Sequence, residues 1–149
     1  HYPEGQNVHL LIDAGAVIQV KGMPSGDRDK DTTGSNYGGY IQQLTDREIV
    51  GRSDCRGGWG HNVPYSTYFY IRLSSPILRT TAASDTGPSP TGVIDGAKSR
   101  MAVACASCRT LEVVVGISYA SVAQARENAE REAGNRGFDA IHQEARGIW

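Results

Sequence analysis

The sequence predicts a mainly β protein, a β-sandwich with helices at its carboxyl end, and three observations carry that prediction. Gly is abundant, 18 of 149 residues, while aromatic residues make up 7%, a balance that calls for many turns and short strands rather than a helical bundle. Several runs alternate apolar and polar side chains with the strand period of two. At Ser118 the period becomes helical and stays so toward Trp149.

The first run, Val8 to Asp13, is apolar, of strand length and bounded by Gly5 and Gly15, and reads as a strand. Lys21 to Gly39 is rich in Gly, Ser, Asp, Lys and Thr, which predicts a long exposed loop. Tyr40–Leu44 and Glu48–Arg52 flank Thr45-Asp46-Arg47, a connection of hairpin length. Arg56-Gly57-Gly58-Trp59-Gly60-His61-Asn62 favours positive φ and close backbone approach, so it is a shaped loop. Between Tyr65 and Leu73, Thr67, Phe69, Ile71 and Leu73 share one face and Tyr68, Tyr70 and Arg72 the other, the mark of a half-buried strand.

Thr80 to Ala97, with Pro88, Pro90 and several Gly, Ser and Thr, reads as another loop. Met101–Cys105 and Leu111–Ser118 are strands joined through Ala106-Ser107-Cys108, the second placing Leu111, Val113, Val115 and Ile117 on one face. Ser121 and Gln124 are spaced as a capping box, and Glu127 stands four residues before Arg131, which predicts a helix to about Ala133. Gly134, Asn135 and Gly137 stop it, and Asp139 is placed to cap a second helix through Arg146. The apolar stripe of the first helix is only Val122, Ala125 and Ala129, so it is expected to bury little unless following sequence completes it. The chain thus divides into a sandwich, residues 1–118, and a helical segment, 119–149.

Fifteen Lys and Arg against sixteen Asp and Glu leave a formal charge of −1, which offers no field for phosphates or anionic lipid, so neither nucleic acid nor a membrane surface is an expected partner. The longest apolar runs, such as Val113-Val114-Val115, fall far short of the roughly 20 residues that span a bilayer. Three cysteines make no disulfide framework. The chain opens on His1 without a basic-then-apolar leader and is expected to begin inside a longer product.

Asp27, Asp29 and Asp31 alternate like the start of a calcium loop, but Gly34 stands at the eighth position rather than the sixth and Gly38 where the bidentate Glu belongs. Cys105-x-x-Cys108 has the spacing of a redox or zinc half-site, yet Cys55 and the scattered His1, His9, His61 and His142 supply no paired ligands. Two ordinary cysteines, or one local bridge at a hairpin end, is the plainer reading. Glu4, Asp13, Asp46, Glu48, Asp54, Asp85, Asp95 and Glu112 form no recognisable acid/base pair. The best candidate for binding is the glycine-flanked Trp59 with Arg56, His61, Asn62 and Tyr65, because an aromatic face beside polar groups suits a sugar ring or a partner surface. The alternative is that Trp59 covers the open end of the core.

Three segments in order resemble one family. His1-Tyr2-Pro3-Glu4-Gly5 leading into Val8–Asp13 is similar to the "Tyr-x-Phe-Pro, then a strand ending in Asp" region of family-92 glycoside hydrolases, the exo-acting α-mannosidases. Glu48-Ile49-Val50-Gly51, Gly58-Trp59, and Tyr68-Phe69-Tyr70 with Pro76 resemble its "Ile-x-Gly … Gly-Trp … Tyr-Phe … Pro" stretch. Val114-Val115-Gly116-Ile117-Ser118-Tyr119-Ala120-Ser121-Val122, Ala125-Arg126-Glu127-Asn128, Gly137-Phe138-Asp139 and Trp149 resemble its "Lys-Val-Gly-Ile-Ser-x-Val-Ser … Ala-Arg-x-Asn-Leu … Phe-Asp … Trp" signature. Cys105, Cys108, the Lys21–Gly39 loop and Ala129 depart from the pattern.

The resemblance implies the latter part of an amino-terminal supersandwich of the sugar-mutarotase kind, followed by linker helices leading to an (α/α) toroid not present in the chain. In the family the toroid carries the general acid, the base and the calcium; those motifs are absent between His1 and Trp149, so no catalytic residue, metal ligand or cofactor is expected here. The implied role is an accessory domain of a secreted or periplasmic α-mannosidase, walling one side of the mannose pocket and bracing a catalytic domain or companion chain, with α-mannoside glycans as the ligand. The rival is a free-standing lectin-like module stacking sugars on Trp59 and Tyr65. A third reading, a small nuclease or thiol hydrolase using His61, Glu48 or Cys105, lacks a basic groove.

Overall fold

In the computed structural model the chain is described over residues 9–14, 35–56, 63–89, 93–106 and 110–149. Nine strands and two helices are formed there: β1 (His9–Asp13), β2 (Ser35–Gln43), β3 (Glu48–Arg56), β4 (Tyr65–Leu73), β5 (Ile77–Ser84), β6 (Gly87–Ser89), β7 (Val93–Asp95), β8 (Arg100–Cys105), β9 (Val113–Ser118), α1 (Val122–Glu132) and α2 (Phe138–Ile148). The strands make two antiparallel sheets, one of four in the order β1-β8-β5-β6 and one of five in the order β7-β2-β3-β4-β9. The mainly β sandwich with carboxyl-terminal helices is therefore the fold observed.

The alternation in β4 decides how the sheets face each other. Ile71 and Leu73 turn into the sandwich with Ile41 and Ile49, and meet Ile12, Met101, Val103 and Cys105 from the four-stranded sheet. Each such fully buried branched side chain contributes roughly 2 kcal/mol of transfer free energy before entropy is subtracted. The other face of β4 is also covered, contrary to the half-buried reading. Tyr70, 1% exposed, lies with Val50 beneath Ala125 and Ala129 of α1.

The narrow stripe of α1 is what lets it lie so close. A Cβ placed on Gly116 of β9 would stand 2.0 Å from the Ala125 carbonyl oxygen and 2.8 Å from the Ala129 methyl, so Gly on the strand and Ala on the helix let the two backbones touch. The expectation that a stripe of Val122, Ala125 and Ala129 buries little is corrected: Ala125 is 0% and Ala129 4% exposed. Ser121 caps α1, its side chain accepting from the Gln124 N–H at 3.0 Å. The reciprocal half of the box is not made, because the Gln124 amide donates to Asn128 at 3.1 Å. At the far end Gly134, with φ of +56°, turns the chain while its N–H bonds the Ala129 carbonyl at 3.2 Å, and Arg72 of β4 donates to the Gly134 carbonyl.

Other expectations change. The 80–97 stretch holds most of β5 and all of β6 and β7; its small residues fit because Ala82 is buried against the core and Thr80 and Thr81 pair with β8. Ser35 to Gly39 belong to β2 rather than to a loop, with an irregularity between Asn36 and Gly38 that absorbs Tyr37. β8 and β9 lie in different sheets, so no hairpin end forms between them. Asp139 does not cap α2; Gly137 is the N-cap and Glu112 Oε1 accepts from the Phe138 N–H at 3.3 Å. The 40–52 hairpin forms as expected and is longer, with Gln43 opposite Ile49.

Candidate functional site

The ends of β3 and β4 place two of the five candidate binding residues. Arg56 closes β3, exposed, with its guanidinium carbon 4.4 Å from the centroid of the Tyr37 ring, a stacked cation–aromatic pair. Tyr65 opens β4 directly opposite Cys55 and is 44% exposed. Burial first, then the neighbouring Cys55 and Tyr119, push the Tyr65 phenol above its usual range. Trp59, His61 and Asn62 lie outside the described residues. Tyr37, which the sequence placed in a loop, is the aromatic partner that composition alone did not reveal.

Behind this surface stands a polar hub that sequence reasoning missed. Asn36 Nδ2 lies 2.8 Å from the Gly38 carbonyl, 3.0 Å from Ser53 Oγ and 3.3 Å from the Ala14 carbonyl, and Asn36 Oδ1 accepts from the Lys98 N–H at 2.8 Å. Ser53 Oγ donates to the same Ala14 carbonyl at 2.5 Å and lies 3.4 Å from the buried Cys55 Sγ. The two side chains thus tie the segment after β1 to β3, fixing one sheet against the other near Arg56 and Tyr65.

Two of the candidate carboxylates, Asp54 and Glu48, are held by neighbouring side chains. Asp54, buried, takes Arg52 Nε at 3.0 Å and Nη2 at 2.9 Å on Oδ2, and Ser66 Oγ at 2.6 Å on Oδ1. Glu48 Oε1 accepts from the Tyr70 hydroxyl at 2.6 Å and from Arg126 Nη2 at 3.1 Å, an arrangement that pins α1 to β3 and β4. Burial and then the Glu48 hydrogen bond push the Tyr70 phenol up to about 12, so it donates and does not ionise near neutrality. Among the described residues no three His, Cys, Asp or Glu side chains converge as a metal-ligand set.

A cleft of about 630 Å³ runs beside β9, walled by α1 and the start of α2. Val113, Val115 and Ile117 line it, 40%, 56% and 60% exposed although they share the face of the buried Ile71 and Leu73. No helix among the described residues is long and apolar enough to cross a membrane.

No protein-family model and no curated protein matches the sequence. Solved structures do match in fold. A family GH92 α-mannosidase from Bacteroides thetaiotaomicron, described in complex with mannoimidazole, superposes with a TM-score of 0.75 over 99% of this chain at 18% identity. A family GH92 inverting mannosidase from the same organism gives 0.72 over 100% of the chain at 20% identity. A third GH92 family glycosyl hydrolase gives 0.70 over 99% at 19% identity. The chain spans only 18% of the length of each of these three. The resemblance read from the motifs therefore holds as a likeness of fold: the chain folds as one segment, less than a fifth in length, of the family GH92 mannosidases it superposes on.

Proposed function

We propose that the chain is the accessory β-sandwich of a secreted or periplasmic, exo-acting α-mannosidase, walling one side of a mannose pocket and bracing an (α/α) catalytic toroid that lies outside residues 1–149. The observation that supports this reading most is the pairing of a full-length fold match on this side with an 18% share on the other, because such a chain corresponds to one part of a larger hydrolase. The acid, the base and any calcium are then supplied by the catalytic domain or companion chain, and this chain contributes shape and contacts. The proposed division of labour is residues 1–118 as sandwich and 119–149 as linker.

The test is reconstitution. The chain alone is expected to leave α-mannobiose intact, and the polypeptide that carries the toroid is expected to turn it over only when the sandwich is present. Calcium-dependent turnover by the 149-residue chain alone would overturn the reading. A second reading, a free-standing carbohydrate-binding module, draws on the exposed Arg56–Tyr37 pair and the exposed Tyr65. Saturable glycan binding by the lone chain, lost in Trp59→Ala with the fold intact, would favour it.

A further inference from the structure

β9 ends the five-stranded sheet, and among the described residues no strand pairs with its other edge. Two hydrogen bonds set which backbone groups face that edge. The Glu112 carbonyl accepts from the Ser74 N–H at 3.0 Å, toward the β4 side, whereas the Ile117 carbonyl accepts from the Asn128 side chain at 2.9 Å. Because the N–H and C=O of one residue in an antiparallel strand point the same way and alternate along the chain, the backbone groups of Val113, Val115 and Ile117 face outward. Their side chains form an exposed apolar row on the Ile71 and Leu73 face of the sheet, and α1 and the start of α2 wall the cleft from the other face. A long, exposed, apolar edge of this kind is a template for another strand.

The cleft has the volume of a short piece of such a strand. With neighbouring strands about 4.8 Å apart, sheets about 10 Å apart and a rise of about 3.3 Å, one extended residue fills about 160 Å³. The 630 Å³ beside β9 therefore takes roughly four residues of extended chain. Its rim carries three exposed carboxylates, Glu112, Glu132 and Asp139, while the one rim arginine, Arg136, is paired with Glu144. That rim complements a basic segment.

We infer that the outer edge of β9 is a strand-addition site, taking an extended segment of alternating apolar residues with a basic residue at its end. The source assigned is a strand of the polypeptide that carries the catalytic centre, a choice that rests on the reading given above. Main-chain bonds to Val113 and Val115 supply the pairing, the apolar row supplies the register, and the carboxylate rim selects the end.

The test uses hydrogen exchange on the labelled 149-residue chain with the synthetic peptide acetyl-Lys-Val-Thr-Val-Thr-Val-Lys-amide as probe. At about ten times its dissociation constant the peptide is expected to slow exchange at Val113 and Val115 about tenfold, leaving Val93–Asp95 on the opposite edge unchanged. Val115→Pro, which removes an outward N–H, abolishes the protection; if that variant does not fold, Val115→Lys is expected to repel the basic peptide and do the same. A peptide with Glu in place of Lys binds more weakly. No protection, equal protection in the folded variant, or a concentration-dependent dimer of the chain that protects β9 without peptide would each overturn the inference, the last by making a second copy the occupant. Because the probe carries no sequence of a mannosidase, failure of the mannosidase reading removes the assigned source and leaves the peptide result standing.

Discussion

The backbone of Gly116 touches that of Ala125: a methyl on Gly116 would lie 2.0 Å from the Ala125 carbonyl oxygen. That contact seats α1 on the five-stranded sheet and buries Tyr70 beneath it. It makes a sharp prediction. Gly116→Ala must lift the helix or bend the strand, and is expected to cost about 2–3 kcal/mol, the upper range for overpacking. Urea unfolding checks it; an unchanged midpoint would mean that α1 does not sit here.

Tyr70 and Glu48 give the chain a signature at alkaline pH. The Tyr70 phenol is raised from 10.0 to about 12 by burial and by Glu48, so the folded state holds its proton more tightly than the unfolded one. Its stabilising contribution is full below pH 10.0 and is lost as pH rises toward about 12. Thermal unfolding followed from pH 9 to 12 is expected to fall more steeply in the wild type than in Tyr70→Phe, which lacks the titrating group. Parallel curves would contradict the buried hydrogen bond. Near neutral pH the same variant is expected to cost about 1–2 kcal/mol, since Glu48 loses one donor.

Asp54 holds Arg52 with two nitrogens and Ser66 with a third bond while itself buried. Asp54→Ala is expected to cost about 2 kcal/mol, because the serine hydroxyl and the guanidinium lose a charged acceptor. With Asp54 gone, Arg52, its side chain 39% exposed, can turn to water, whereas Arg52→Ala leaves the buried Asp54 carboxylate with Ser66 as its side-chain donor, so Arg52→Ala is expected to cost more than Asp54→Ala. Chemical denaturation of both variants gives the order; the reverse order would sink this account of the pair.

Ser121→Ala removes the acceptor for the Gln124 N–H and is expected to destabilise α1 by about 1 kcal/mol. Exchange at the Gln124 amide should rise more than exchange in β3. Uniform change across the chain would show instead that α1 and the sheet open together.

The sequence made some of this legible for reasons that are local. Alternation from Thr67 to Leu73 exposed β4, and Ser121 three residues before Gln124 exposed the start of α1, since both signals lie within one element. What stayed hidden depends on distant residues. Nothing near Glu48 says that Tyr70 and Arg126 will meet it, and Thr80 to Ala83 look like loop until β8 pairs with them. Of the candidate site, Arg56 and Tyr65 fall at adjoining strand ends, whereas Tyr37 entered only through the irregular pairing of β2 with β3. Trp59, His61 and Asn62 lie outside the described residues, so their place beside Arg56 and Tyr65 stays a proposal.

The most direct measurement is the mass of the particle that contains this chain in its native source, taken first under native and then under denaturing conditions. The account predicts a particle several times heavier than 149 residues, containing the catalytic polypeptide and releasing mannose from α-mannobiose. A particle made of the 149-residue chain alone would contradict it, and glycan binding through Arg56, Trp59 and Tyr65 would then become the function to pursue.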